Sequence, residues 1–379
     1  MARHTPKGRD NGSQSKSRRI IVQYYSQPTQ YPYPVQQPQA YPAQQYVQPL
    51  YYPPQPTPEE QRKNTYRRLL RKNANSIGTL LLIFFGAELL FSVILAFLTL
   101  ALGIREDGSS GEFFLLENGA ISMVVFFLVG IIYCLIRRLR FSAIFPFEKV
   151  RGGLLAQLCV IGLSFSLMSN YVVSLVNSVF GLVGIENTGG NIDVGDQPNI
   201  LLYVLVVAIL PAFAEEFAFR GIVMGVLRPY SEGLAILVSS AAFALMHGNF
   251  VQLPFTFCCG LVFAFIDIKT NSLLPSIIVH FLNNGLSVLS DILISYKILD
   301  ESTATMCYGI IFVITGILSF IFIKRFINKD NGSFFTLKNG KTVLPFKTKV
   351  KTTATSPTLI AFTAVMLIYC ILNLVMGTA

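Results

Sequence analysis

Long apolar segments, separated by short polar ones, run from about residue 77 to the end of the chain. Most of them approach or exceed the length of about 20 residues that a helix needs to cross the hydrocarbon core of a bilayer. Helices and closed barrels are the structures that satisfy their backbone polar groups in lipid, and runs this long favour helices. The pattern predicts an all-α, polytopic transmembrane helix bundle of about eight or nine spans. The segments are 77–103, 119–136, 153–183, 200–227, 234–249, 253–268, 272–295, 304–323 and 357–377.

The composition supports a membrane protein and excludes two other classes. Hydrophobic residues make up 52% of the 379 residues and charged residues 13%, whereas about a quarter of a soluble globular protein is charged. An ordinary soluble globule and a chain that is disordered throughout are therefore excluded. The six cysteines lie inside apolar runs and form no C-x-x-C spacing, which indicates neither a disulfide framework nor a cysteine zinc site.

The chain before the first span has a different character. Residues 1–75 carry twelve Lys and Arg against three acids, which accounts for nearly all of the net charge of +10. Gln, Tyr and Pro dominate residues 20–58, and dense proline opposes helix formation. We expect residues 1–75 to be a disordered cytoplasmic tail, acting as a spacer or binding a cytoplasmic partner. The remainder is expected to be a helical core (76–324), a basic cytoplasmic loop (325–356) and a C-terminal transmembrane helix (357–379).

The loop charges predict an orientation in the cell membrane. Basic clusters precede the first span and separate the second from the third, whereas the loops after the first and third spans are acidic. Because cytoplasmic loops carry an excess of Lys and Arg, the N-terminus is predicted to be cytoplasmic. No apolar leader precedes the tail, so the first span is expected to target the chain. The basic residues accompany no nucleic-acid motif, and the expected partner is the lipid bilayer rather than a nucleic acid.

The fourth apolar segment contains charged residues that are costly in a bilayer. Glu215, Glu216 and Arg220 lie near its middle, and ionisable groups at such a depth are usually functional. Glu216 and Arg220 are four residues apart and can pair on one helix face. Glu215 points about 100° away and is predicted to face a different neighbour. The spacing therefore predicts a structural ion pair beside a carboxylate that is available for chemistry.

Two of the three histidines also lie in predicted spans. His4 belongs to the tail, whereas His247 and His280 fall in the fifth and seventh segments. Asn284 shares a helix face with His280, and an imidazole with an amide can stabilise a developing oxyanion. At about 1.5 Å per residue, Glu215 and both histidines lie roughly 16–20 Å from the cytoplasmic ends of their helices. Each histidine alone could be a packing residue, but together with the carboxylate they favour a functional site.

Three motifs in order carry a family resemblance. The sequence contains E-E-x-x-x-R, then F-x-x-x-H, then H-x-x-x-N, each inside an apolar segment. This order and spacing resemble the CPBP family, the CAAX-protease and bacteriocin-processing membrane endopeptidases, also called Abi proteins. The resemblance covers about residues 150–300, and the tail and the last span lie outside it. The matching residues are Glu215, Glu216, Arg220, Phe243, His247, His280 and Asn284.

The resemblance implies hydrolysis of a peptide bond within the membrane. Glu215 and His247 would position and activate a water molecule, and His280 and Asn284 would stabilise the oxyanion. Arg220 would hold Glu216 and the local helix in place. The substrate would be a peptide or membrane protein, and a CAAX-type, a bacteriocin-type and a membrane-regulator peptide all remain open.

The resemblance leaves the cofactor open, because both metal-free and metal-dependent mechanisms are attached to this family. Glu215, His247 and His280 could ligate zinc, as two His and a carboxylate do in soluble proteases. They lie on three separate predicted helices, and no H-E-x-x-H is present. We therefore favour a metal-free mechanism.

Two non-proteolytic functions remain as alternatives. The polar cluster could be an ion or proton site of a transporter, although no internal repeat or pair of broken helices is evident. The protein could also be a scaffold that works through its tail. Asp267 and Asp291 lie near predicted span ends, and we expect both to be solvated rather than to form an aspartate protease site.

Overall fold

A computed structural model describes residues 55–101, 110–182, 199–330, 332–340 and 343–376. The part of the predicted tail that precedes residue 55 lies outside these ranges. Every regular element of the described residues is helical, and the strand-like contact among them is an isolated antiparallel bridge between Phe147 and Ser272.

Ten helices longer than one turn form the described part of the chain. A single helical turn, Phe141–Ile144, also lies between the second and third of them. The ten helices are α1 (Pro58–Ala101), α2 (Ser110–Ile136), α3 (Gly152–Leu182), α4 (Ile200–Leu227), α5 (Glu232–Met246), α6 (Gln252–Thr270), α7 (Leu274–Ser295), α8 (Glu301–Asp330), α9 (Phe346–Ala354) and α10 (Pro357–Met376).

The predicted polytopic helix bundle is confirmed. Within the described residues, seven helices are long and apolar enough to cross a membrane, namely α1, α3, α4, α6, α7, α8 and α10. Two shorter apolar stretches, Met123–Ile136 in α2 and Glu232–Met246 in α5, complete the set of nine predicted segments. The protein is therefore a multi-pass membrane protein.

The first helix begins well before the predicted span. Helix α1 starts at Pro58, so residues 58–75 are helical, and their prediction as disordered tail is wrong. The physical reason is a capping box at the helix start. Thr57 Oγ1 accepts the Glu60 N–H at 3.3 Å, and the Glu60 carboxylate accepts the Thr57 N–H at 2.8 Å. Proline is well suited to the first helical position, because it has no N–H to leave unsatisfied there.

The segment predicted as a basic loop (325–356) also contains helix. It includes the end of α8 and the whole of α9. Lys349 of α9 is fully buried, and its ammonium group donates to the Tyr230 carbonyl at 2.8 Å and to the Asn339 carbonyl at 2.5 Å. Gly340 has φ +61°, and a Cβ there would collide with the Tyr230 carbonyl. The ammonium group thus ties α9 and the preceding segment to the turn between α4 and α5.

Helix α4 is irregular where the charged motif begins. Two stretches, Val204–Ile209 and Glu216–Val223, have π-helical hydrogen bonding, and a short α-helical part containing Pro211 separates them. Such wide turns are frequent at functional sites. The second stretch contains both Glu216 and Arg220, so the motif residues lie on non-standard helix.

The buried ammonium group of Lys349 yields a stability prediction. We expect Lys349→Ala to lower the free energy of unfolding by about 2–3 kcal/mol, because it removes a buried charged donor and its hydrogen bonds to the Tyr230 and Asn339 carbonyls. Unfolding of the detergent-solubilised protein measures this loss. Lys347→Ala, at an exposed position of the same helix, is the matched control and should change stability little. Equal stability of the two variants would contradict a clamping role for Lys349.

Candidate active site

Helices α4, α5 and α7 bring four of the predicted site residues to one cavity of about 530 Å³. The cavity is lined by Glu215, His247, His280 and Asn284. The first three are the residues for which the helix lengths predict a common depth. Glu216 and Arg220 are fully buried and are not among its lining residues. Uncharged polar residues that carry no motif also line the cavity, and the sequence analysis missed them. They are Asn170, Gln252, Thr256, Asn283, Ser287 and Tyr308.

The Glu216 carboxylate is the centre of a buried ionic cluster. Its Oε1 lies 3.0 Å from Arg220 Nη1 and 2.9 Å from His280 Nδ1. The predicted pairing of Glu216 with Arg220 is confirmed. The partner on α7 was not predicted as such, because the chain separates Glu216 from His280 by 64 residues. The cluster therefore joins α4 to α7.

Arg220 is held by aromatic rings as well as by charge. Its guanidinium carbon lies 4.2 Å from the centroid of the Phe243 ring and 5.4 Å from that of Phe263. Although the ion pair is close, no N–H of Arg220 is aligned for a hydrogen bond within the described residues. A guanidinium over an aromatic face is stabilised by the negative potential of the ring.

The ring of Phe243 explains the phenylalanine of the F-x-x-x-H motif. One contact is with Arg220, and the ring also packs edge-on against His247 at 4.8 Å and against His280 at 6.0 Å between centroids. Phe243 itself is buried in α5. Phe243 thus gives the cation and both imidazoles one shared apolar contact.

Two adjacent carboxylates enclose one imidazole. His280 Nδ1 contacts Glu216, and His280 Nε2 lies 3.6 Å from Glu215 Oε2. Glu215 was predicted to face a different neighbour from Glu216, and the structure instead directs both carboxylates to His280. The side chains differ in exposure, with 17% for Glu215, 0% for Glu216 and 6% for His280. Glu215 is therefore the carboxylate that is accessible from the cavity.

The second imidazole has a defined tautomer preference. His247 directly follows α5, and its Nδ1 lies 2.8 Å from the Phe243 carbonyl. A carbonyl only accepts, so Nδ1 carries the hydrogen in this contact. Neutral His247 then has an unprotonated Nε2, which can accept a proton or a hydrogen bond.

Asn284 is anchored to an irregular turn of α4. Its Nδ2 donates to the Val207 carbonyl at 3.1 Å, and its Oδ1 accepts from Asn283 Nδ2 at 3.1 Å. In a regular α-helix the carbonyl of residue 207 would accept from the N–H of residue 211, but Pro211 has none. Proline thus leaves this carbonyl available to Asn284, whose second amide hydrogen remains for another acceptor.

The three residues that could ligate zinc in a metal-dependent mechanism do not assemble into a metal site among the described residues. Within the part of the chain that the structure describes, no three His, Cys, Asp or Glu side chains form a group that could hold a metal ion. Glu215 and His280 are 3.6 Å apart, but His280 Nδ1 is engaged by Glu216 and His247 Nδ1 by a carbonyl. A catalytic zinc normally has three protein ligands, and these residues do not fit that arrangement.

The prediction that Asp267 is solvated is wrong. Asp267 is 1% exposed and accepts hydrogen bonds from Ser276. Asp291 is half-buried and accepts a hydrogen bond from the Tyr203 hydroxyl at 2.8 Å. Both carboxylates thus face polar partners in neighbouring parts of the bundle, which the sequence alone did not identify.

The buried ion pair yields a stability prediction. We expect Arg220→Met to lower the free energy of unfolding by about 3–5 kcal/mol, because Glu216 becomes a buried carboxylate without its cation. Thermal unfolding in detergent measures the effect. The double variant Glu216→Gln/Arg220→Met should regain part of the loss, and Arg228→Met, at the end of the same helix, should lose less. Additive losses in the double variant would contradict direct coupling of Glu216 and Arg220.

Comparison with known proteins identifies the segment that builds this cavity. Residues 197–286 match the family model described as type II CAAX prenyl endopeptidase Rce1-like. A 102-residue segment is 32% identical to the membrane-embedded CAAX protease MroQ of Staphylococcus aureus (strain USA300), covering 25% of this chain and 41% of that protein. The chain thus matches less than half the length of this curated relative, and no solved structure matches it significantly. The segment 197–286, which contains every motif residue of the site, is thus similar to the CAAX proteases that the three motifs indicate.

Proposed function

We propose that the protein is an intramembrane endopeptidase that hydrolyses a peptide bond in the cavity between α4, α5 and α7. The observation that carries the proposal is that Glu215, His247, His280 and Asn284, from three helices, line one cavity inside an apolar bundle. Placing a carboxylate and two imidazoles in a membrane interior costs free energy, and residues of this kind in a membrane are usually functional. The match of residues 197–286 to a CAAX endopeptidase model supports the same activity.

The proposed mechanism uses a water molecule activated by Glu215 and His247. His247 Nε2 orients the water by accepting one hydrogen bond, and the Glu215 carboxylate takes the proton as the water oxygen attacks the peptide carbonyl carbon. The protonated Glu215 then gives this proton to the leaving nitrogen as the C–N bond breaks. No covalent intermediate forms, and no step passes through a metal ion.

The proposed oxyanion site consists of His280 and Asn284. With Nδ1–H directed to Glu216 at 2.9 Å, the doubly protonated ring of His280 donates to the oxyanion from Nε2. Asn284 offers the amide hydrogen that Val207 does not use. Donors fixed before the reaction stabilise the developing negative charge without reorganisation.

The lining of the cavity supports an uncharged peptide segment as substrate. Among the described residues that line it, Glu215 is the one carboxylate, and no Lys or Arg is present. An acidic residue beside the scissile bond would be repelled by Glu215 and would meet no Lys or Arg side chain. CAAX-type, bacteriocin-type and membrane-regulator peptides remain the proposed substrate classes, in line with the CAAX protease named among the relatives.

The catalytic assignment is tested with quenched peptides and purified protein. We expect Glu215→Gln and His247→Ala each to lower kcat by about 100-fold or more, because each removes a group that handles the water proton. Asp291→Asn is the matched control, since it neutralises a carboxylate of α7 outside the cavity, and it should cleave at the wild-type rate. Unchanged cleavage in Glu215→Gln would rule out the proposed mechanism. Ion uptake that depends on Glu215, without cleavage, would favour the transporter alternative.

We further propose that the N-terminus lies in the cytoplasm, because basic residues flank the first and third spans and acidic loops alternate with them. An epitope tag before residue 1 should bind antibody only after the cells are permeabilised. A tag inserted after Asp300, in the exposed connection between α7 and α8, should bind antibody on intact cells. The opposite pattern of staining would contradict a cytoplasmic N-terminus and would place the tail, with any partner it binds, outside the cell.

A further inference from the structure

A second buried carboxylate, that of Asp267, contacts α7 one helical turn before His280. Asp267, in the last turn of α6, accepts the Ser276 hydroxyl at 2.6 Å with Oδ2 and the Ser276 N–H at 3.3 Å with Oδ1. The same hydroxyl lies 2.9 Å from the Leu273 carbonyl, so Asp267 provides its shorter contact. Both residues are buried, and neither is among the residues that line the cavity.

These two hydrogen bonds secure the start of α7. The first N–H groups of a helix have no partner within the helix, and the residue before α7, Leu273, has no side chain that can cap it. Asp267 reaches across from α6 and accepts the N–H of the third helical residue, where a local cap would normally act.

The start of α7 determines where His280 lies. Ser276 and His280 are four residues apart and share one face of the helix. His280 Nδ1 in turn lies 2.9 Å from the Glu216 carboxylate. Asp267 is therefore connected to His280 through the first turn of α7.

We propose that Asp267 is a positioning residue of the endopeptidase: by holding Ser276 it fixes the rotation and depth of α7, and thereby the placement of His280 against Glu216 and Glu215. The inference rests on the proposed function for its catalytic consequence, but its structural part can be tested without activity. A displacement of about 1 Å in a catalytic group can lower a rate by about 100-fold.

The structural part is tested by hydrogen exchange of the full chain in detergent. Asp267→Ala should speed exchange of the Ser276 amide by about 10-fold or more, because that amide loses its acceptor. Ser231→Ala is the matched control. Ser231 is also buried and caps a helix, accepting the Leu234 N–H at 3.4 Å, but it lies at the end of α5 remote from His247. Wild-type exchange at Ser276 in Asp267→Ala would overturn the proposal.

The catalytic part is tested by kinetics normalised to folded protein. Asp267→Ala should lower kcat by about 100-fold and Asp267→Asn, which keeps one accepting oxygen, by about 10-fold, with KM within about twofold of wild type. Because Asp267 acts through Ser276, adding Ser276→Ala to Asp267→Ala should cause little further loss. Ser231→Ala should retain the wild-type kcat even if it lowers stability.

The outcomes separate this inference from the proposed function. Cleavage that depends on Glu215 but not on Asp267 would overturn the positioning role and leave the endopeptidase standing. Fully multiplicative losses in the double variant would also overturn it, since Asp267 would then act independently of Ser276. Faster exchange at Ser276 in a protein without any peptidase activity would overturn the proposed function and support the anchoring of α7 by Asp267.

Discussion

The Glu216 carboxylate, buried between Arg220 and His280, is the interaction on which the rest of the site depends. A lone charge in this environment would be far too costly, so the carboxylate is held where a cation and a ring N–H both reach it. Those two partners come from α4 itself and from α7, at 3.0 and 2.9 Å. Once Glu216 is fixed in this way, its neighbour Glu215 faces the cavity. The burial of Glu216 thus determines that Glu215 is the carboxylate available for chemistry in the cavity.

The irregular backbone of α4 contributes as much as its side chains. Pro211 cannot pair with the Val207 carbonyl, and this carbonyl binds the Asn284 amide of another helix instead. The hydrogen bond adds a second connection between α4 and α7, near the cavity rather than behind it. Phe243 links α5 to the same cluster through its contacts with Arg220 and the two imidazoles. Three helices are thereby connected by the Glu216 carboxylate, the Asn284 amide and the Phe243 ring.

Hydrophobic periodicity and residue spacing predict the features that depend on residues close together in the chain. Nine apolar segments predicted the bundle, and a separation of four residues predicted the pair of Glu216 with Arg220. The start of α1 was missed because Thr57 and Glu60 form a short polar cap in a Pro-rich segment. The burial of Asp267 and Lys349 was missed for a different reason, since their partners belong to other helices or turns. The sequence around Asp267, near the end of an apolar segment, does not distinguish a carboxylate that faces water from one that accepts a hydrogen bond from Ser276.

The shared cluster has a consequence for the order in which the protein is assembled in the membrane. Helix α4 carries Glu215, Glu216 and Arg220, but the α7 imidazole that completes their interactions is 64 residues later in the chain. A charged residue at the centre of an isolated inserting helix costs about 2.5–3.5 kcal/mol. The pair of Glu216 with Arg220 offsets part of this cost within α4, while Glu215 has no such partner there. The contact of Glu215 with His280 can therefore offset the remaining cost only after α7 has been synthesised and has packed against α4.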